Sequence, residues 1–182
     1  MNPNNIWNGS KDHEFTVGGK SDSNYATCPD TRHSVSSYES TLEGVHVSAK
    51  SAMQQIIALS VCEAELIAAV LCVQDMLYVR KLLLSMGLKV KLPMILQVDN
   101  QATVDLVNNW SSGGRTRHVE VRQFFLRELK AEGILNVVWI SGEKNAADIF
   151  TKNLSSDLFD RHTEAFCGKD GYSTIKVKEG FA

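Results

Sequence analysis

Residues 58–68 read Ala58-Leu59-Ser60-Val61-Cys62-Glu63-Ala64-Glu65-Leu66-Ile67-Ala68. Ser60 followed by Glu63 is a capping box: the hydroxyl takes the Glu63 amide and the carboxylate reaches back toward the cap. Leu66, Val70, Val73, Leu77 and Leu84 then recur on one helical face, and Gly87 supplies a stop. A long helix begins here, with Glu65 in its first two turns. What precedes it has another period. Phe15 to Asp22 reads as a strand interrupted by Gly18-Gly19. Ser34 to Leu42 alternates, Glu43-Gly44 turns tightly, and Val45 to Ser48 returns, which makes a three-stranded meander. The change from period two to period 3.6 at Ser60 sets the architecture.

Downstream, Met94 to Asp99 is a short apolar run expected to be a strand buried on both faces. Ala102 to Asn109 reads as a short helix. After Gly113-Gly114, Arg117 to about Glu132 reads as an amphipathic helix whose apolar stripe is Val121, Phe124, Phe125 and Leu129. Ile134 to Ile140 is a further strand, followed by a short loop and a helix through Leu154. The order βββαβααβα predicts an α/β domain with a mixed five-stranded sheet, three antiparallel strands then parallel additions, flanked by helices. The expected organisation is a polar lead-in over 1–17, one domain over 18–155 and a C-terminal tail over 156–182.

With 182 residues, 43% hydrophobic and 22% charged, the chain has the composition of one globular domain with a substantial core. A net charge of −2 excludes a general attraction for nucleic acid, so such a partner must be held by a local patch. No stretch reaches the length of a membrane span, and the polar Met1-Asn2-Pro3-Asn4-Asn5 has no signal-peptide core. Cys28, Cys62, Cys72 and Cys167 show neither zinc nor disulfide spacing and read as reduced thiols of an intracellular protein. His13, His33, His46 and His162 have no partners in sequence and read as surface or turn residues.

Four acids stand at strand ends and helix starts: Asp22, Glu65, Asp99 and Asp148. Convergent carboxylates repel unless a cation joins them, and hard oxygen donors with few histidines suit Mg²⁺. Two Mg²⁺ ions held by four carboxylates describe a phosphodiester-cleaving nuclease, with Mn²⁺ as a substitute. Singly, each acid has a plainer account, Asp99 as a helix cap and Asp148 as a dipole partner. The basic concentration is Arg115, Arg117, His118, Arg122, Arg127 and Lys130. Arg115, Arg117 and His118 are expected to grip phosphates, while the residues farther along read as a solvated face. Asn100 and Gln101 are candidates for 2′-hydroxyl contacts in a minor groove, although capping accounts equally well for Asn100.

These stretches, with Ser21-Asp22-Ser23-Asn24-Tyr25, Val98-Asp99-Asn100-Gln101-Ala102, Arg115-Thr116-Arg117-His118-Val119-Glu120-Val121-Arg122 and Ala147-Asp148-Ile149-Phe150-Thr151-Lys152-Asn153-Leu154, resemble the ribonuclease H domain of copia-type retrotransposon Pol polyproteins. The resemblance covers roughly residues 18 to 170. It implies a ribonuclease H-like sheet, catalytic carboxylates at Asp22, Glu65, Asp99 and Asp148, and cleavage of the RNA strand of RNA–DNA hybrids. It also implies a reverse transcriptase domain as neighbour, residues 1–17 being the end of the connection to it, and a cytoplasmic virus-like particle or the nucleus as location. The implied roles are Asp22 bridging, Glu65 and Asp99 on one metal, and Asp148 on the other. The sequence departs from the family's usual pattern at Asn24, Tyr25 and Ala49, the last reading as a lost packing aromatic. The loop Ser141-Gly142-Glu143-Lys144-Asn145 lacks the histidine many cellular ribonucleases H carry there. Two rival readings remain: a non-catalytic remnant that binds nucleic acid or braces a reverse transcriptase, and a transposase or integrase core. Integrase cores lack an acid where Glu65 stands.

Overall fold

The structure is a computed structural model that describes residues 9, 12–108 and 117–167, without the side chains of 117–120, 165 and 167. Strand β1 (Glu14–Phe15) pairs in parallel with β5 (Lys89–Val90) as a small separate ribbon. Strands β2 (Val17–Asn24), β3 (Val35–Leu42) and β4 (Val45–Met53) form the antiparallel meander. Helix α1 (Val61–Ser85) leads to β6 (Met94–Val98), α2 (Gln101–Asn108), α3 (Arg117–Ala131) and β7 (Leu135–Trp139). The main sheet has the order β4-β3-β2-β6-β7, with β6 parallel to both β2 and β7. The expected mixed five-stranded sheet is therefore the observed one. At the β3–β4 turn Glu43 and Gly44 both have positive φ, +52° and +74°, as a type I′ hairpin requires.

The Gly18-Gly19 interruption has a packing reason. A Cβ on Gly19 would stand 2.5 Å from Cys72 Sγ, 2.8 Å from Met76 Sδ and 3.1 Å from the Glu39 carbonyl. Helix α1 thus lies on the sheet at a distance only a bare backbone permits, and its small Ala64, Ala68, Ala69 and Cys72 are buried there. The capping box forms as expected at Ser60, whose hydroxyl accepts from the Glu63 amide at 3.1 Å; the Glu63 carboxylate reaches back to Leu59 N at 2.8 Å.

Several expectations are corrected. Strand β6 buries Met94, Leu96 and Val98 but leaves Ile95 37% exposed, because helices α1 and α2 cover only one of its faces. Among the described side chains of α3 the buried ones are Gln123, Leu126 and Leu129, while Val121 and Phe124 are 70% and 57% exposed. The helix is rotated because its polar residues cap α2: Gln123 and Arg127 donate to the Leu106 carbonyl, and Lys130 Nζ donates to Asn108 Oδ1 at 2.6 Å. Arg127 and Lys130 are thus tied to the end of α2 rather than forming a solvated face. No α-helix runs through Leu154; two 3-10 turns, Gly142–Lys144 and Ala146–Phe150, stand there. Phe15 and Val17 from the expected lead-in belong to the core, and 156–167 form a helix, α4 (Ser156–Cys167). His162 of α4 is buried, and Phe166 stacks on His46 with centroids 3.9 Å apart. His46 in turn pairs with buried Glu39 at 2.9 Å, opposite Lys20 at 2.9 Å. His162 is therefore an interior residue and His46 a half-buried one rather than free surface positions. Ala49 lies exposed on edge strand β4, so it leaves no gap in the core.

Candidate metal centre

Strand alternation delivers the acids from two sides. Asp22 and Ser23 are neighbours at the end of β2, so their side chains leave the sheet on opposite faces. On the α1 face, Glu65 Oε1 accepts from Ser23 N at 3.1 Å and Ser23 Oγ at 2.8 Å. On the other, Asp22 meets the segment 148–152: Thr151 Oγ1 donates to Asp22 Oδ2, and Lys152 Nζ sits 2.9 Å from Asp22 Oδ1. Asp99 follows β6, the parallel neighbour of β2, and so lies at the same end of the sheet. One carboxylate oxygen each from Asp22, Asp99 and Asp148 fall within 4.8 Å of one another. Glu65 is not in that tight group but stands one residue away, through Ser23.

The segment carrying Asp148 is fastened by residues whose roles were not legible beforehand. Asn145, fully buried, donates to the Ser21 carbonyl at 3.0 Å and accepts from Ala147 N, so the turn is docked onto β2. Ser37 Oγ donates to the Ala147 carbonyl at 2.8 Å and Ser51 Oγ to the Phe150 carbonyl at 2.9 Å. Asn24 Nδ2 donates to the Thr151 carbonyl at 3.0 Å. An Asp at position 24 has no such donor, so Asn24 here anchors the loop. The serines of β3 and β4 and the Asn145 side of the acid motif were the available signal.

Burial and mutual repulsion shape the charges. Glu65, 3% exposed, is pushed up to about 8, first by burial and then by the Asp22 and Asp99 charges, against its bonds from Ser23. Burial and Asp22 also raise Asp148 to about 6, with Lys152 opposing, and raise Asp99. For Lys152, burial is the largest influence and favours the neutral amine, but its contacts with Asp22 and Asp148 outweigh it and raise the amine. Glu65 Oε2 is buried without a hydrogen-bond partner. A hard oxygen set with an unpartnered buried carboxylate oxygen and no histidine or cysteine fits a hard divalent cation.

A pH prediction follows. Groups whose folded pKa lies above the unfolded value bind more protons when folded, so stability falls as pH rises. The metal-free protein is expected to lose stability between about pH 4.5 and pH 8, Glu65 contributing over that window and Asp148 up to about pH 6. Glu65→Gln should flatten the upper part of the slope in chemical denaturation followed against pH in chelator. An unchanged slope would mean Glu65 is ionised throughout.

The sites predicted for nucleic acid are less complete. Asn100 Oδ1 accepts from Thr103 N at 2.9 Å and caps α2; Gln101 Nε2 donates to Asp105 on the helix surface. Arg115 lies outside the described residues, as do the side chains of Arg117 and His118 at the start of α3.

The sheet order β4-β3-β2-β6-β7, with Asp22, Asp99 and Asp148 gathered at one end, is that of a ribonuclease H fold. The chain is similar to LC11-RNase H1 in complex with RNA/DNA hybrid, with a TM-score of 0.56, 17% identity and coverage of 81% of this chain and 99% of that one. It is similar also to the N-terminal RNase H domain of rv2228c from Mycobacterium tuberculosis, with a TM-score of 0.52, 11% identity and coverage of 84% and 99%. At these identities the likeness shows the fold. No family profile matches the chain. In sequence it is 34% identical over 142 residues, 78% of its length, to the Retrovirus-related Pol polyprotein from transposon TNT 1-94 of Nicotiana tabacum. It is 26% identical over 165 residues, 91% of its length, to the Retrovirus-related Pol polyprotein from transposon RE1 of Arabidopsis thaliana. The chain is a homologue of copia-type retrotransposon Pol polyproteins, and the stretch it shares with them is folded as a ribonuclease H domain. It spans 11% of the length of these two relatives. Among the described residues no helix is long and apolar enough to cross a membrane.

Proposed function

We propose that the chain is a divalent-metal-dependent ribonuclease H that hydrolyses the RNA strand of RNA–DNA hybrids beside a reverse transcriptase domain. The observation that carries this reading is the convergence of Asp22, Asp99 and Asp148 within 4.8 Å, backed by buried Glu65. Asp22 would bridge two ions, Glu65 and Asp99 would complete one, and Asp148 the other. Mg²⁺ held there would lower the pKa of a water enough to make it a nucleophile near neutral pH and would offset negative charge at the scissile phosphate. The chain's own contribution is positional. Ser23 orients Glu65, Thr151 orients Asp22, and Asn145 holds the Asp148 turn, so the carboxylates keep their places through turnover. Glu65 must release its proton before it serves as a ligand, so cation affinity should climb with pH toward about 8. The RNA/DNA hybrid named for LC11-RNase H1 supports the choice of substrate.

Arg115, Arg117 and His118 are proposed to hold substrate phosphates, on their sequence setting before and at the start of α3. Arg115→Ala with Arg117→Ala should weaken hybrid binding and reduce the slope of log affinity against log salt by roughly one unit per lost contact. An unaltered slope would assign these arginines to a solvated surface. The function itself is tested with a labelled hybrid, RNA duplex and DNA duplex in Mg²⁺ or Mn²⁺, using this chain alone and fused behind its reverse transcriptase domain. Cleavage confined to the RNA of the hybrid is expected. No metal-dependent cleavage by either protein would leave the non-catalytic remnant as the better account.

A further inference from the structure

Lys152 is the one cation inside the carboxylate cluster among the described residues, and no reading of the acids alone accounts for it. Its Nζ stands 2.9 Å from Asp22 Oδ1, 3.1 Å from Asp148 Oδ1 and 3.8 Å from Asp99 Oδ2. It therefore occupies the Asp22–Asp148 side of the cluster and only grazes Asp99. Glu65, which approaches from the opposite face of β2, has no contact with it. The backbone beneath Lys152 is fixed: its amide donates to the Asp148 carbonyl at 2.9 Å, and the preceding carbonyl is held by Asn24. The head group is held only by the carboxylates themselves. The side chain is 36% exposed and carries its ammonium on a flexible four-carbon stem. An ammonium ion and a divalent cation cannot share the same two carboxylate oxygens.

We propose that Lys152 is a tethered counter-ion that neutralises Asp22 and Asp148 in the metal-free protein and has to withdraw before a cation enters between them. The proposal rests on the metal-centre reading above. It makes the two cation positions unequal. The Glu65–Asp99 side is the one Lys152 obstructs least and would take the first ion, while the Asp22–Asp148 side is filled only in competition with Lys152. A competitor that holds its place nine-tenths to ninety-nine hundredths of the time lowers apparent affinity by roughly 10- to 100-fold. The device keeps the acids from repelling one another before metal arrives, and it sets a divalent concentration below which the second position stays closed.

Calorimetric titration of the 182-residue chain with Mn²⁺ at fixed pH, beside thermal unfolding in chelator and in Mn²⁺, tests this. The wild type should bind one ion tightly and a second weakly. Lys152→Met keeps the stem and removes the charge; its second step should tighten by about 10-fold or more. Its metal-free form should melt several degrees lower, and Mn²⁺ should raise its melting point by more than it raises the wild type's. Lys152→Arg retains a cation and should retain the weak second step, which a packing role for the stem would not predict. Should Lys152→Met not fold without metal, Lys152→Gln titrated from the Mn²⁺-loaded state by a competing chelator gives the same comparison. If wild type and the neutral variants bind Mn²⁺ alike, Lys152 is an ordinary surface partner and this proposal falls alone. If neither binds Mn²⁺, the metal-centre reading falls with it.

Discussion

The Asp99→Asn protein is expected to cut hybrids at least ~100-fold more slowly than wild type, and Asp22→Asn at least as slowly, because each removes a charge from the position where cations must be held. The two should separate in stability. Asp99 is held above its usual range by burial and by the Asp22 charge, and its contact with Lys152 is the long one, 3.8 Å. Asn at 99 relieves repulsion and sacrifices little, so the metal-free variant should be as stable as wild type or more so. Asp22 is different: it accepts from Thr151 and from Lys152 at 2.9 Å. Asn at 22 leaves Lys152 with a weaker partner and removes an acceptor that fastens the 148–152 segment, and it should destabilise. Single-turnover hybrid cleavage and chelator-treated denaturation of both variants decide the matter. Wild-type cleavage by Asp99→Asn would remove the metal centre from the account.

The second large effect is structural. Gly19→Ala should lower unfolding free energy by about 2–3 kcal/mol, since overpacked positions cost that much when the neighbours cannot yield. The added methyl meets Cys72 Sγ at 2.5 Å and, more stubbornly, the Glu39 carbonyl at 3.1 Å, so α1 has to lift from β2. Gly18→Ala is the internal control: it meets the Thr41 hydroxyl at 3.2 Å and the Ile95 carbonyl at 3.5 Å, and should cost well under half as much. Adding Cys72→Ala to Gly19→Ala should recover part of the loss by removing the sulfur. Equal destabilisation by the two alanines would show that strand flexibility, not the approach of α1, explains the glycine pair. Displacement of α1 also moves Glu65, so Gly19→Ala should weaken Mn²⁺ binding although it touches no ligand.

The sequence by itself determined the five strands of the main sheet and the three helices among them, and it singled out four acids as candidates. Alternation before Ser60, helical period after it, the capping box and the Glu43-Gly44 turn are local signals, each written within a few residues of the structure it specifies. Asp22, Glu65, Asp99 and Asp148 could be picked out because each stands near a strand end or in the first turns of a helix. Tertiary structure decided the rest, for reasons no local pattern contains. Which residues of α3 face inward depended on the end of α2, whose free carbonyls drew in Gln123 and Arg127 and turned Phe124 outward. Why β2 carries a glycine at 19 depended on α1, more than fifty residues later. That Glu65 and Asp22 approach from opposite faces follows from strand alternation, but that Ser23 couples them required the distance between β2 and α1. Lys152 was in plain view beside Asp148, yet only the fold brings Asp22 to it from a strand 130 positions away and makes a cation of the loop the partner of three acids.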